Sequence, residues 1–218
     1  MKLSDYATIA FDCDGVILNS NKVKTRAFYT AALPYGEECA LALESYHTSN
    51  GGISRYKKFN WFVNTFIDAE KREEVYESLL KSYESAVKEG LATCDFNEDL
   101  LLLKEKTPNA NWLVVSGGAQ KELHQLFKDR NLDCLFEGGI FGSPDSKETI
   151  FSREIERDNI KLPALFIGDS KYDFTSSTKF GLDFLFLSQW SEVIDWAEFC
   201  AAHEIFHVPS LLQIEKSQ

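Results

Sequence analysis

No apolar run in the 218-residue sequence is long enough to span a bilayer, and the opening MKLSDYATIAFDCDG lacks the long apolar stretch of a secretion signal. The expected setting is the cytoplasm, without a membrane partner. The five cysteines, at 13, 39, 94, 134 and 200, are odd in number, scattered and without a CxxC pair, which argues against a disulfide framework and a zinc knuckle. They are expected to be reduced and mostly buried. Basic residues are outnumbered, 23 Lys and Arg against 34 Asp and Glu, and a formal net charge of −11 repels a phosphate backbone, so no nucleic-acid partner is expected. Small anions remain accessible, because a few local cations and a metal outweigh a diffuse field. Repeats, low-complexity tracts and blocks of charge are also missing. What remains, 44% hydrophobic and 26% charged, is an ordinary soluble composition, long enough for one core with an insertion or for two small domains.

Short apolar runs rich in β-formers recur at Tyr6 to Phe11, Trp112 to Val115, Ala164 to Ile167 and Phe184 to Leu187, and each predicts a buried strand. Helical patterns follow, with Leu123, Leu126 and Phe127 after the second run and Val193, Ile194 and Ala197 after the fourth. The alternation predicts an α/β fold whose mostly parallel sheet is covered by helices on both faces. Between the first strand and Trp112 no strand is convincing. Phe59, Phe62, Val63, Phe66 and Ile67 instead fall at helical spacing, and Val75, Tyr76, Leu79, Leu80, Tyr83 and Val87 continue a similar stripe. A helical insertion over residues 20–90, in a core of 1–19 and 91–218, is the economical reading. The final EKSQ is expected to fray.

Three of the strand runs end in DCDG, SGG and GDS. Ligands sit beyond the carboxyl ends of strands in an open parallel sheet, so Asp12, Ser116 and Asp169 should converge on one crevice. Two carboxylates at roughly 4 Å repel by about 4 kcal/mol at an effective dielectric near 20, so Asp12, Asp14 and Asp169 together need a cation. Magnesium, a hard ion that takes oxygen ligands and keeps room for water and phosphate, suits them. Lys147 and Asp173 complete a set of mixed sign. Such a set fits phosphoryl transfer, in which a carboxylate nucleophile attacks phosphorus once cations neutralise the phosphoryl oxygens, with Asp14 as acid and base.

Asp12-Cys-Asp14-Gly15-Val16, Ser116-Gly117, Lys147 and Gly168-Asp169-Ser170-x-x-Asp173, in this order, resemble the four motifs of the haloacid dehalogenase superfamily. The resemblance implies a Rossmann-like core, and the helical insertion after the first motif resembles a type-one cap of the phosphoglycolate phosphatase and β-phosphoglucomutase branch. By resemblance, Asp12 is the nucleophile and a metal ligand, and Asp14 is the acid and base and offers its backbone carbonyl to the metal. Asp169 is a further ligand, with Asp173 binding directly or through water. Ser116, Gly117 and Lys147 hold phosphate oxygens, the amides of Cys13 and Asp14 adding donors. The implied activity is a magnesium-dependent phosphatase acting on a small phosphorylated metabolite, as monomer or homodimer. The second aspartate favours phosphate monoesters, whose alkoxide leaving group needs a proton.

In the insertion, Gly52-Ile53-Ser54-Arg55 resembles a cap loop in which the matching arginine grips a second anionic group of the substrate. The same residues also read as a glycine hinge with Ser54 capping the helix of Phe59 and Phe62. Lys57 and Lys58 read as a solvated face, and His47 and His124 as isolated. Lys24 stands where the mutases carry a histidine, which favours hydrolysis; Asn19 replaces a common acidic residue and Glu148 a common proline. HEIFH, His203 to His207, fits a zinc-peptidase pattern, but β-formers and Pro209 predict a strand leading into a short helix, where the two histidines stand roughly 13 Å apart. Two alternatives stay open: a phosphomutase, and a catalytically idle binding module of the same fold, against which intact Asp12, Asp14, Lys147 and Asp169 argue.

Overall fold

A computed structural model of the chain describes residues 1–214. The first strand, β1 (Thr8–Phe11), is followed by α1 (Asn21–Ala32), α2 (Glu37–Ser49), α3 (Arg55–Phe66) and α4 (Arg72–Thr93), and α5 (Asp99–Lys106) then leads into β2 (Asn111–Ala119). From there helix and strand alternate through α6 (Gln120–Asp129), β3 (Gly139–Ser143), α7 (Lys147–Glu156), β4 (Ala164–Gly168), α8 (Lys171–Thr178), β5 (Asp183–Leu187), α9 (Trp196–Ala202) and β6 (Phe206–Val208). The strands lie in the order β3-β2-β1-β4-β5-β6, and every pairing is parallel. Strand order therefore reverses beside β1, the point at which such sheets open a crevice.

Both sheet faces are buried, which explains runs of apolar residues without alternation. On one face Ile9, Phe11, Trp112, Val114 and Ile167 pack with Leu100, Leu123 and Phe127 from α5 and α6. On the other, Ala10, Leu113, Val115 and Phe166 pack with Ile150 and Phe151 from α7. The helices between β1 and β2 have an apolar cluster of their own, built from Phe28, Leu43, Phe59, Phe62, Leu79 and Tyr83. On α4 a single i+4 ridge, Val75, Leu79, Tyr83, Val87 and Leu91, is buried, while Tyr76 and Leu80 only flank it.

Three details differ from the sequence reading. Strand β3, in the glycine-rich GGIFGS, was not anticipated; Ile140 and Phe141 are too few to form an apolar run, and pairing with β2 makes the strand. Val193 and Ile194 lie outside α9, with Ile194 almost fully exposed, because the helix starts at Trp196, whose ring stacks on Phe186. Cysteine burial is less general than expected: Cys13 and Cys200 are buried, Cys39 and Cys94 half-buried and Cys134 exposed, all five unpaired. The expectation for EKSQ lies outside the described residues. Among those described, no helix is long and apolar enough to cross a membrane.

Candidate active site

Three strand ends meet at the crevice. Phe11 lies level with Val114 of β2 and Ile167 of β4, so Asp12, one residue on, stands between them, with its amide donating to the Ile167 carbonyl at 2.9 Å. Past Val115 the β2–β3 register slips before Ala119 pairs with Ser143, and the irregularity falls on Ser116, Gly117 and Gly118. Such a break turns amides away from the ladder. Ser116 is fully buried, and its Oγ accepts from the Gly118 amide at 3.0 Å. After Asp12 the chain turns through Gly15 at φ +76°, where a Cβ would run into the Asp169 carboxylate. Only glycine permits that approach.

Ser170 caps α8, in a reciprocal box with Asp173. Asp173 Oδ2 accepts from the amides of Asp169 and Ser170 at 3.2 and 3.1 Å, and its Oδ1 accepts from Lys147 Nζ. Lys147 opens α7, is 1% exposed and lies 2.9 Å from Asp12 Oδ1. One buried ammonium thus bridges two carboxylates. Burial opposes its charge, but Asp12 and Asp173 outweigh burial and hold Lys147 above the usual lysine range.

Oxygens of Asp12, Asp169 and Asp173 lie within 4.8 Å of one another. When all three are ionised, their charge of −3 against the +1 of Lys147 leaves −2 on a buried cluster. Burial, then the neighbouring Asp173 and Asp14 charges, push Asp12 up to about 7 despite Lys147. Burial and the charges of Asp173 and Asp12 likewise hold Asp169 well above the usual carboxylate range, although Asn21 donates to its Oδ2 at 2.7 Å. Asp12 Oδ1 is buried without a directed donor, because Lys147 Nζ offsets its charge from outside hydrogen-bonding geometry. A hard divalent cation fits this donor set on both counts, neutralising the residual charge and engaging the orphaned oxygen.

Asp14 sits apart from that trio. Its Oδ1 takes the Ser20 hydroxyl at 2.6 Å and its Oδ2 takes Lys24 Nζ at 2.5 Å. Burial alone would raise its affinity for a proton, but Lys24, Ser20 and Lys147 outweigh burial and hold Asp14 below the usual carboxylate range. Cys13, between the two aspartates, is 1% exposed, and burial pushes its thiol far up, so it fills space.

A cavity of about 60 Å³ separates this cluster from the helical insertion, with Asp12, Asp14 and Asp169 on one side and Lys24, Arg55 and Lys58 on the other. Arg55 lines the cavity, but its charge is already met: Nη1 and Nη2 donate to Glu122 Oε1 and Oε2 on α6 at 2.8 and 2.5 Å, and the guanidinium lies over the Tyr83 ring. Lys57 is exposed, but Lys58 is 2% exposed, so the solvated-face reading fails for Lys58. Its Nζ lies 2.6 Å from His47 Nδ1, so neither residue is idle. Ser54 stands at the N-cap of α3 but makes no side-chain capping bond there.

Lys24 and Lys58 are the site residues whose roles the sequence reading missed. Asn19 has a local part, its amide bonding the Asp95 carbonyl at 2.9 Å, and Glu148 accepts from Tyr172 at 2.6 Å. His124 contacts the Ile140 carbonyl at 2.8 Å. His203 ends α9 and His207 lies in β6, so the zinc pattern never occupies one helix face.

The sequence profile of the haloacid dehalogenase-like hydrolases matches residues 9–187. No curated protein matches the chain by sequence. Among solved structures, the chain is similar to a hydrolase from Pseudomonas syringae (TM-score 0.75, 17% identity, 97% of each chain covered). It is also similar to a predicted phosphoglycolate phosphatase from Haemophilus somnus (0.72, 19%, 99% of this chain and 100% of that one). A β-phosphoglucomutase from Clostridium difficile is comparably close (0.69, 16%, 96% and 93%). At these identities the likeness carries the fold.

Raised affinities for protons at Asp12 and Asp169 have a signed consequence. Without a cation, stability present at pH values below the free carboxylate range is lost as pH climbs through about 7, where Asp12 ionises in place. Magnesium should therefore raise the melting temperature more at pH 8 than at pH 5. At a hundred times its dissociation constant the gain is about 2.7 kcal/mol. Thermal denaturation with and without magnesium reads this, and Asp169→Asn should flatten the response.

Proposed function

The chain belongs to the haloacid dehalogenase-like hydrolase family, and from that membership we propose that it is a magnesium-dependent phosphatase of small phosphorylated metabolites, working through an aspartyl-phosphate on Asp12. The observation that carries this reading is Asp12 Oδ1: a carboxylate oxygen buried at the end of a central strand, 2.9 Å from the Lys147 ammonium and with no directed hydrogen bond of its own. An oxygen so placed is a nucleophile held in position without being quenched.

In the first step an Asp12 oxygen forms a bond to phosphorus while the bond from phosphorus to the leaving oxygen breaks, and Asp14 protonates that oxygen. In the second, water attacks the same phosphorus, Asp14 takes its proton, and the bond to Asp12 breaks to release inorganic phosphate. Lys24 and Ser20 hold Asp14 as the carboxylate that the second step needs. The first step needs it protonated, which burial favours once the Lys24 ion pair opens. Lys147, the Ser116 hydroxyl and the amides around Gly117 steady the phosphoryl oxygens. Asp12, Asp169 and the Asp14 carbonyl would hold magnesium, with Asp173 fixed beside them. When bound, magnesium neutralises charge on the transferring group.

Residues 20–90 act as the cap and residues 1–19 with 91–218 as the catalytic core. The Gly51–Gly52 turn supports closure of one on the other, since a Cβ on Gly117 would strike the Gly52 carbonyl. A cavity of about 60 Å³ is small beside ligand pockets of roughly 300–1,000 Å³, so the cap opens to admit substrate and release product. The phosphoglycolate phosphatase and β-phosphoglucomutase among the similar folds lend the substrate class, a phosphoglycolate-like compound or a sugar phosphate. Lys24, locked to Asp14 where mutases carry a histidine, favours hydrolysis over transfer.

Phosphate release from a metabolite panel, with and without magnesium, tests the reading. Asp12→Asn should fall to background, and turnover retained in that variant would remove the covalent mechanism; Asp14→Asn should lose about 10²- to 10⁴-fold in kcat. Gly117→Ala, whose methyl displaces the Gly51–Gly52 turn, should reduce kcat/KM by about 100-fold.

A further inference from the structure

Four cations reach the cavity or its floor, and three already have carboxylate partners: Lys147 with Asp12 and Asp173, Lys24 with Asp14, Arg55 with Glu122. Lys58 has none. Among the described residues no carboxylate lies within 4.0 Å of its Nζ, although the side chain is 2% exposed and lines the cavity. Its contacts are the His47 ring nitrogen at 2.6 Å and the face of Phe28 at 5.3 Å. A neutral imidazole and a ring face orient an ammonium without neutralising it. Burial and the charges of Lys58 and Lys24 hold His47 well below its ordinary range, so its Nδ1 accepts and one Lys58 donor is spent, leaving two.

A buried ammonium without a counter-charge costs several kcal/mol, and a fold keeps one where an anion arrives from outside. Burial and Lys24 push Lys58 down to about 7, the strain such a group carries while its partner is missing. One positive charge balances one carboxylate, whereas a second phosphate would bring close to two negative charges. Asp12 and Lys58 line the same small cavity, so a phosphate at the first and an anion at the second belong to one small molecule.

We propose that Lys58, positioned by His47, recognises a carboxylate on the leaving group, so that the substrate is a short hydroxy acid esterified with phosphate and not a neutral sugar phosphate. This rests on the phosphatase reading for the phosphate end and on Lys58 alone for the other end. Arg55, the residue that sequence resemblance points to for a second anion, instead ties the insertion to α6.

Phosphoglycolate and ethyl phosphate differ at the position in question, one carrying a carboxylate and the other not. The wild-type protein should prefer phosphoglycolate, and Lys58→Met should reduce the ratio of the two kcat/KM values by about 10- to 100-fold, the effect of losing one charge-assisted hydrogen bond in a buried site. Removing an unpaired buried charge is compatible with folding. Lys58→Gln, run alongside, keeps a folded variant in hand. A ratio unchanged in both variants overturns the proposal, as does an equal loss on both esters. Isothermal titration of phosphoglycolate into Asp12→Asn reads the carboxylate contact without turnover, and Lys58→Met in that background should weaken binding by a similar factor. A protein that hydrolyses neither ester yet binds phosphoglycolate through Lys58 refutes the phosphatase and keeps the carboxylate site. One that hydrolyses both equally keeps the phosphatase and refutes the site.

Discussion

Three carboxylates crowd one ammonium at the carboxyl ends of β1 and β4, and much of the local architecture exists to hold them there. Asp173 is fixed by two backbone amides and Lys147, so it cannot swing away from its neighbours' charge. Asp12 is fixed through its main chain by the parallel ladder, which leaves its side chain the least satisfied of the set. The parallel sheet makes this possible. Both faces are sealed by apolar side chains, so the strand ends are the sheet's outlet for polar groups, and the reversal of strand order beside β1 provides the room. Low polarisability around the cluster raises the cost of each uncompensated charge.

The insertion supplies the opposite sign. Lys24 and Lys58 lie on the faces of α1 and α3 that bury Phe28, Phe59 and Phe62, so the apolar packing of these helices also sets where their ammonium groups end. Apolar stems let lysines cross such a layer and deliver charge at its far edge. Lys24 and Asp14 satisfy each other across the gap, as do Arg55 and Glu122. Of the insertion's cations in the cavity only Lys58 is left over, and the sorting follows from geometry: α3 carries Arg55 and Lys58 about one turn apart, and Glu122 lies within reach of the first.

Much of this is legible in the sequence. The strand-end residues Asp12, Ser116 and Asp169 were readable because a parallel sheet always exposes that edge, and the four-motif order located Lys147 and Asp173 without knowledge of their contacts. Strand β3 was hidden because its glycines carry no hydrophobic signal. The helical start at Val193 was misjudged because an apolar pair in a loop imitates a turn of helix. Lys58 and Lys24 are a different case, since the signal was present: Arg55, Lys58, Phe59 and Phe62 share one face of α3, as do Lys24, Ala27, Phe28 and Ala31 on α1. A lysine in phase with a buried stripe belongs to the stripe, and reading it as solvated gives residue type more weight than helical position.

The ion pairs that close the site also bear on how it opens. Lys24–Asp14 and Arg55–Glu122 each join the insertion to the core, and Thr25 donates to Glu192 across the same boundary at 2.6 Å. Apolar seals of comparable extent would hold more tightly, because exposing apolar area costs free energy in proportion to area. Ion pairs behave differently: when they part, water recovers most of what the pair contributed, so separation is close to balanced. A boundary held by such contacts, beside a cavity of about 60 Å³, can open for substrate without unfolding either apolar cluster. Bringing a second anion to Lys58 shifts that balance toward closure, because the ammonium then gains in the closed form a partner that it lacks in the free protein. On the proposed reading, recognition of the leaving group and exclusion of water from Asp12 thereby become one event.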